Sequence, residues 1–196
     1  MRVGIIGCGL IGQKRAKTLG HCQLAACVDL QHEKAQMLAE QYPGCDVYTD
    51  YRQMLKRDDI AIVIIATLHS TLAEIALAAV NAGKHILVEK PAGRRAHELD
   101  PVIEAVQKNN LVARVGFNHR YHRTFRKARE LVDAGELGEL MFIRARYGHG
   151  GRIGYDKEWR AQPELSGGGE LIDQGVHLID LARWFLGEFN DVQGYA

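Results

Sequence analysis

Residues 2–16, RVGIIGCGLIGQKRA, join a short apolar run to an amphipathic one through three glycines, Gly7, Gly9 and Gly12. The spacing G-x-G-x-x-G between a predicted strand and a predicted helix is typical of dinucleotide-binding turns. The glycines permit a tight turn, the close approach of a pyrophosphate, and packing of the helix against the strand. Because the first N–H groups of a helix are free to bind anionic oxygens, this turn predicts a dinucleotide site. Two further residues of the turn are expected to border the cofactor, Leu10 and Ile11.

A carboxylate suited to binding a ribose ends the second apolar run. Asp29 lies 20 residues after Gly9, where such a carboxylate accepts hydrogen bonds from a ribose diol. The same charge would repel a 2′-phosphate, and no arginine follows it directly, so NAD is the predicted cofactor and NADP is disfavoured. Lys34 or Arg15 reaching into the site would weaken this preference.

Apolar runs rich in β-branched residues alternate along the chain with longer amphipathic segments. Continuously apolar strands are expected where helices cover both faces of a parallel sheet. The strand candidates are residues 2–7, 23–29, 61–67, 84–89 and 111–117. The helix candidates are residues 10–20, 31–42, 50–57, 70–82 and 94–109. This alternation predicts an α/β fold, a Rossmann doubly wound parallel sheet, over residues 1–118.

A different pattern follows in residues 119–196. It contains an Arg-rich helix at about 121–134, an alternating strand at 139–148, a glycine-rich loop and a helix at 168–186. We interpret this region as the first part of an α+β open-sheet substrate domain. Only residues 190–196 remain to pair with its strand, and the domain is therefore expected to be truncated.

Composition limits the classes of partner and the compartment. Lys plus Arg number 25 against 24 for Asp plus Glu, a net charge of +1, so no field attracts nucleic acid or an anionic membrane. The apolar runs are too short to span a bilayer, and the N-terminus has no pattern of a cleavable signal. A cytoplasmic protein without a metal site is expected. Its cysteines, predicted to be reduced thiols, are Cys8, Cys22, Cys27 and Cys45.

Two strand candidates end in polar residues that would share one sheet edge. Thr67, Leu68 and His69 follow one strand, and Glu89 and Lys90 end the next. Open α/β sheets bind ligands at the carboxyl ends of their strands, so these residues are expected to border the nicotinamide. The alternatives are an ordinary helix cap by Ser70 or Thr71 and a charged strand end that has emerged into water.

The helix at 168–186 carries acidic and imidazole groups on an otherwise apolar surface. Asp173, His177 and Asp180 are spaced by four and three residues, which places them on one stripe. A solvated Asp–His pair is the simple interpretation. A mostly buried helix would instead require partners or a function for these groups.

Taken in order, these motifs resemble the glucose-fructose oxidoreductase and inositol dehydrogenase family (Gfo/Idh/MocA). The resemblance rests on the glycine turn with Asp29, on EKP at 89–91, on GFNHRY at 116–121, and on G-x-x-x-D-x-G-x-H-x-x-D at 169–180. It implies a Rossmann domain followed by a sheet domain that carries the substrate. Leu68 and Leu72 depart from the family, where a proline and a histidine are usual.

The resemblance implies hydride transfer between a secondary alcohol and the nicotinamide, with Lys90, Asp173 and His177 as catalytic residues that also contact substrate. His177 is the expected general base, because an ordinary imidazole pKa of about 6.5 suits proton uptake near neutrality. Asp173 would hold the substrate hydroxyl, and Lys90 would stabilise the developing alkoxide. Glu89 would fix the head of Lys90 or line the nicotinamide pocket.

Five further residues are expected in the site. Trp159 and Arg160 would approach the cofactor, although a surface tryptophan that pins a loop is the alternative. Asn118 would contact the cofactor, and Tyr147 the substrate. The basic residues of the second region favour a sugar or nucleotide sugar over a plain inositol, unless they only form a solvated helix face. They are Arg120, also expected to contact substrate, Arg123, Arg126, Arg144, Arg146 and Arg152.

Two competing functions remain open from the sequence. The chain could be an NAD-binding sensor or partner subunit without turnover, or an inactive fragment of a dehydrogenase. Retention of a lysine, an aspartate and a histidine argues against a dedicated sensor. The resemblance also implies a homo-oligomer, a dimer or tetramer, formed through the sheet of the second domain.

Overall fold

A parallel β-sheet forms the centre of the structure, a computed structural model that describes residues 1–148 and 153–195. The six strands lie in the order β3-β2-β1-β4-β5-β6, and every neighbouring pair is parallel. This order is that of a doubly wound Rossmann sheet, which confirms the predicted fold class. The strands are β1 (Arg2–Ile6), β2 (Gln23–Val28), β3 (Asp46–Tyr48), β4 (Ile62–Ile65), β5 (His85–Val88) and β6 (Ala113–Val115).

Helices connect the strands and continue beyond the sheet. Those of the Rossmann unit are α1 (Leu10–Ala16), α2 (His32–Ala39), α3 (Tyr51–Leu55), α4 (His69–Asn81) and α5 (Asp100–Lys108). Those that follow it are α6 (Arg123–Asp133), α7 (Pro163–Ser166) and α8 (Val176–Leu186). No helix within residues 1–148 and 153–195 has the length and apolarity needed to cross a membrane.

Two apolar clusters explain why the strands are apolar at every position. Successive side chains of a strand point to opposite faces of the sheet. Ile5 belongs to one cluster and Ile6 to the other, and the same division separates Cys27 from Val28. Each of these side chains is at most 3% exposed. Both faces of the sheet are therefore covered, as expected for crossover helices on both sides.

The glycine turn depends on two close approaches of backbone. Gly7 has φ +93°, and a side chain here would lie 2.4 Å from the carbonyl oxygen of Ala66. A Cβ on Gly12 would lie 2.0 Å from the carbonyl oxygen of Gly7. Gly12 therefore permits α1 to pack against the turn, whereas a Cβ on Gly9 would meet no atom within 4 Å.

Several predicted elements of the Rossmann unit need correction. The short edge strand β3 was missed, because three residues that include Asp46 give little apolar signal. The predicted helix at 94–109 is divided into a 3₁₀ turn, Ala96–Glu98, and α5, since Pro101 in the first turn of α5 starts a new helix. Neither Ser70 nor Thr71 caps a helix, because α4 already begins at His69.

The predicted strand at 139–148 is wrong. These residues form no regular structure, and Met141 and Phe142 are 90% and 76% exposed. A strand needs a neighbour to satisfy its backbone hydrogen bonds, and residues 190–195 form no strand either. The predicted helix at 168–186 begins later and irregularly, with a π-helical turn at Leu171–Gly175 before α8.

We expect Gly12→Ala to lower the free energy of unfolding by about 1–3 kcal/mol or more, the usual cost of overpacking. The added methyl group would collide with the backbone of Gly7 and force α1 away from the sheet. Thermal and urea unfolding measure the effect. Gly9→Ala is the matched control and should unfold like the parent, because its Cβ points into open space. Equal stability of both variants would contradict this packing role.

Candidate active site

A cleft of about 950 Å³ opens at the carboxyl edge of the sheet, beside the glycine turn. The ends of β1, β2 and β4 supply most of its wall, as expected at the point where strand order reverses. Nine of the residues predicted to bind cofactor line it: Gly7, Gly9, Leu10, Ile11, Asp29, Thr67, Leu68, Trp159 and Arg160. Gly12 does not line this cleft and acts through packing of α1 instead.

Asp29 is held in place by two backbone N–H groups. Its carboxylate accepts hydrogen bonds from Cys8 N and from Gln31 N, both at 2.9 Å. These bonds orient the carboxylate at the end of β2. Lys34 also lines the cleft, whereas Arg15 turns away and pairs with Glu89. The fixed carboxylate fits a ribose diol better than a 2′-phosphate, whereas the position of Lys34 in the cleft weakens that preference.

The turn also has room for a pyrophosphate. A methyl group at Gly9 would project into space that is free to at least 4 Å, and Gly9 lines the cleft. The first N–H groups of α1 have no partner within their own helix and suit anionic oxygens. The residues present therefore fit an NAD molecule with its phosphates at Gly9 and its ribose at Asp29.

Lys90 and Asp173 form a buried ion pair, although 83 residues separate them. Lys90 Nζ lies 2.6 Å from Asp173 Oδ1 and also donates to the carbonyl oxygen of Asp173. The two side chains are 16% and 3% exposed. Asp173, and not Glu89 as one alternative predicted, thus fixes the head of Lys90.

Asp173 has partners for its second oxygen as well. Arg160 Nε lies 3.2 Å from Oδ2, and Gln174 Nε2 and the Tyr155 hydroxyl donate to Oδ2 at 3.2 and 3.4 Å. Burial alone would raise the pKa of Asp173, but the hydrogen bond and charge of Lys90, with the charge of Arg160, outweigh it and lower that pKa. Asp173 is therefore an anion that organises its neighbours.

His177 is buried one helical turn after Asp173, at 5% exposure. Its ring stacks on that of His119, with centroids 3.9 Å apart and planes at 16°. Burial first, then the nearby His119 and Lys90, lower the pKa of His177 to about 4. Within the described residues no group hydrogen-bonds its Nδ1. The predicted ordinary pKa is thus wrong for this structure, and His177 is a neutral imidazole.

A smaller pocket of about 370 Å³ adjoins the cleft, and most of the side chains just described line it. Its wall includes Lys90, Asp173 and His177, so the structure brings the three predicted catalytic residues together. Eight other predicted residues line it: Ile11, Thr67, His69, Glu89, Asn118, Tyr147, Trp159 and Arg160. Ile11 and Thr67 line both cavities. The cleft at the glycine turn therefore continues directly into the pocket.

Trp159 and Arg160 lie between the two cavities and line both. The Arg160 guanidinium lies 4.5 Å from the centroid of the Trp159 ring. The centroids of the Trp159 and His69 rings are 4.7 Å apart, and the two rings pack edge to face at 83°. His69 Nδ1 is in turn 2.9 Å from the carbonyl oxygen of Ser166. Trp159 and Arg160 therefore contact residues of the site. The alternative interpretation was a surface tryptophan that pins a loop.

The arginines that suggested a phosphate-bearing or carboxylated substrate do not converge on the site in the part of the chain that the structure describes. Arg120 is paired with Asp180 through two hydrogen bonds of 2.8 and 2.6 Å and lines neither cavity. The exposed arginines, which fit a solvated surface, are Arg123, Arg126, Arg144 and Arg146. Arg152 lies outside the described residues. Among the described residues, these five arginines therefore give no support to a phosphate-binding pocket.

Sequence reasoning missed three residues of the site. His119 was inside the quoted GFNHRY motif, but its stacking on His177 joins distant segments and leaves no local signal. Tyr155 reaches Asp173 from a loop that has no periodic pattern. Arg15 was considered only as a phosphate ligand, whereas its guanidinium neutralises Glu89 inside the pocket.

Two family profiles match the chain in the order that the motifs predict. Residues 1–117 match the oxidoreductase family with an NAD-binding Rossmann fold. Residues 125–196 match the GFO/IDH/MocA C-terminal domain. The first match confirms NAD as the expected cofactor.

Individual relatives point the same way. The chain is 31% identical to levoglucosan dehydrogenase of Pseudarthrobacter phenanthrenivorans, over 98% of this chain and 53% of that protein. It is 28% identical to inositol 2-dehydrogenase of Salmonella typhimurium, over 96% and 55%. The chain thus spans about half the length of the curated relatives it matches.

Solved structures agree with the fold. Myo-inositol 2-dehydrogenase from Lactobacillus plantarum superposes with a TM-score of 0.85 at 29% identity, over 95% of this chain and 56% of that one. Levoglucosan dehydrogenase in complex with NADH and levoglucosan gives 0.84 at 29% identity, over 96% and 54%. The predicted family is confirmed, and the chain belongs to the GFO/IDH/MocA oxidoreductases.

Proposed function

We propose that this chain is the cofactor-binding and catalytic part of an NAD-dependent dehydrogenase that oxidises a secondary alcohol of a sugar or polyol. The observation that carries the proposal is the contact of Lys90 with Asp173, next to His177, in a pocket that opens into the cleft at the glycine turn. Bound NAD supplies hydride-accepting chemistry. The protein must supply position and proton transfer.

His177 is proposed as the proton acceptor. A neutral ring with an unpaired nitrogen can take the hydroxyl proton of a substrate. The pKa of about 4 keeps His177 neutral across the physiological range but also makes it a weak base, so the alkoxide that forms needs stabilisation by a cation. Lys90, a cation in a mostly buried position, would donate a hydrogen bond to the oxygen as negative charge develops there. Asp173 holds Lys90 in this position. Trp159 and Arg160, which line both cavities, would separate the substrate pocket from the cofactor cleft.

The proposed substrate class is a polyhydroxylated ring, either a sugar or an inositol. Tyr147, His119, Asn118 and Lys90 all bring polar groups to the lining of the pocket, which suits a ligand with several hydroxyls. Relatives named for inositol and levoglucosan support this class. The predicted preference for a sugar or nucleotide sugar over a plain inositol loses the support of the five described arginines that suggested it, because none of them lines the pocket.

Three further assignments are also proposals. The boundary between the NAD-binding unit, residues 1–118, and the substrate unit, residues 119–196, is supported by the change from alternating strands and helices to irregular segments. Homo-oligomers formed through the second unit are proposed from its exposed apolar residues. A cytoplasmic location is proposed because the four cysteines are free thiols.

Gly9→Ala should weaken NADH binding by about tenfold or more, a loss of at least about 1.4 kcal/mol. The methyl group would occupy the space into which the pyrophosphate must fit, while the fold is left intact. Fluorescence titration with NADH measures the affinity. Gly20→Ala provides a control far from the cleft, although its positive φ makes it slightly strained. Unchanged NADH affinity of Gly9→Ala would contradict the assigned phosphate position.

The activity itself is tested by NAD reduction against a panel of inositols, anhydrosugars, free sugars and nucleotide sugars. The assay uses this chain and an extended chain of the length of the curated relatives. We expect turnover of at least one inositol or sugar and a loss of about 100-fold or more in kcat in Lys90→Met, with NADH affinity retained. Lys127→Met, an exposed lysine, is the matched control.

The outcomes separate the competing functions. NADH binding by both chains without turnover of any alcohol would favour a sensor. Turnover by the longer chain alone would identify this one as an inactive fragment. Full activity of Lys90→Met would contradict the proposed role of the ammonium group.

His177 should remain neutral until the pH approaches 4, the pKa that its burial imposes. NMR titration of its ring protons, assigned with the His177→Gln variant, measures this value. Because the folded pKa lies below the ordinary value of about 6.5, the unfolded chain binds the proton more readily. The free energy of unfolding therefore includes a contribution from neutral His177. This contribution is fully present above about pH 6.5 and is lost as the pH falls towards 4. Titration near 6.5 in the folded protein would show that the ring is not desolvated.

A further inference from the structure

Two cysteines lie with adjacent sulfur atoms behind the ribose end of the cleft. Sγ of Cys27 and Sγ of Cys45 are 3.5 Å apart, and both residues are free thiols. Cys27 is within β2, two residues before Asp29, and Cys45 directly precedes the edge strand β3. We propose that Cys27 and Cys45 form a redox site, in which hydrogen peroxide or an organic hydroperoxide converts the two thiols to a disulfide.

The environment of the pair decides which sulfur reacts first. Cys27 is fully buried, whereas Cys45 is partly exposed in the loop that follows Gly44. The hydrogen bond with Cys27 is the main cause that lowers the pKa of Cys45, and the charge of Arg57 adds to it. The same hydrogen bond raises the pKa of Cys27. The accessible sulfur is thus the one that more readily becomes a thiolate, the form that attacks a peroxide.

The reaction has two balanced steps. The thiolate of Cys45 attacks the peroxide, the O–O bond breaks, and a sulfenic acid forms as water or an alcohol leaves after protonation. The sulfur of Cys27 then attacks the sulfenic sulfur, loses its proton and displaces water as the S–S bond forms. In sum, two thiols are oxidised by two electrons and one peroxide is reduced. A thiol reductant reverses the change by exchange.

The pair is connected to the cofactor site through β3. A disulfide requires the sulfurs to approach to about 2 Å. Cys27 is fixed between two neighbouring strands, so the three-residue edge strand and the loop before it must move. Tyr48, the last residue of β3, accepts a hydrogen bond from Asp29 N at 3.2 Å, and Thr49 lines the cleft. Oxidation is therefore expected to displace the wall next to Asp29 and to lower NADH affinity.

The experiment combines thiol counting with NADH titration of the full chain before and after peroxide treatment. We expect the loss of two of the four thiols, a Cys27–Cys45 cross-linked peptide in mass spectrometry, weaker NADH binding, and recovery of both with dithiothreitol. Cys45→Ser should lose the cross-link and the peroxide response. Cys22→Ser, another half-buried thiol outside the pair, should keep them.

Three results would overturn the proposal. Oxidation of Cys45 only to sulfinic or sulfonic acid, or a cross-link between Cys8 and Cys27, would exclude the pair as the redox site. A Cys27–Cys45 disulfide that leaves NADH affinity unchanged would exclude the coupling to Asp29. Thiol counts do not depend on turnover, so a failure of the proposed dehydrogenase activity is recognised separately.

Discussion

The ion pair between Lys90 and Asp173 connects the two halves of the site. Lys90 stands at the carboxyl end of β5, and Asp173 lies in the π-helical turn that leads into α8. Removing one partner of such a buried pair typically costs about 3–5 kcal/mol, because the other charge is left without compensation. The pair therefore fixes the position of α8 over the edge of the sheet. His177, one turn further along, is held beside the cleft as a consequence. Arg120 and Asp180 add a second connection near the middle of α8.

Much of the Rossmann unit could be predicted because its physics is local. The glycine turn is encoded by residues whose backbone must pass within van der Waals distance of its neighbours, as at Gly7 and Gly12. Strands covered on both faces must be apolar at every position, which gives the continuous runs of β1, β2 and β4. The convergence of Lys90 with Asp173 was predictable only because the order of motifs resembles a known family.

The remaining features depend on partners that are distant in sequence. The stack of His119 on His177 and the pairing of Arg120 with Asp180 each join separate segments, so the residue types alone could not decide between a ligand contact and a structural one. The alternation at 139–148 is a strand pattern without a neighbouring strand, and local preference does not replace missing hydrogen bonds. The low pKa of His177 likewise follows from burial, which composition does not reveal.

The central claim is that Lys90 and His177 act on the same side of the nicotinamide of an NAD molecule whose phosphates are bound at the glycine turn. A crystal structure of the chain with NADH tests it most directly. We expect the ribose at Asp29, and the nicotinamide at the junction of cleft and pocket with both side chains within reach of an alcohol placed against its C4. A nicotinamide directed out of the pocket, or a Lys90 that leaves Asp173 and turns away from the ring, would contradict this account.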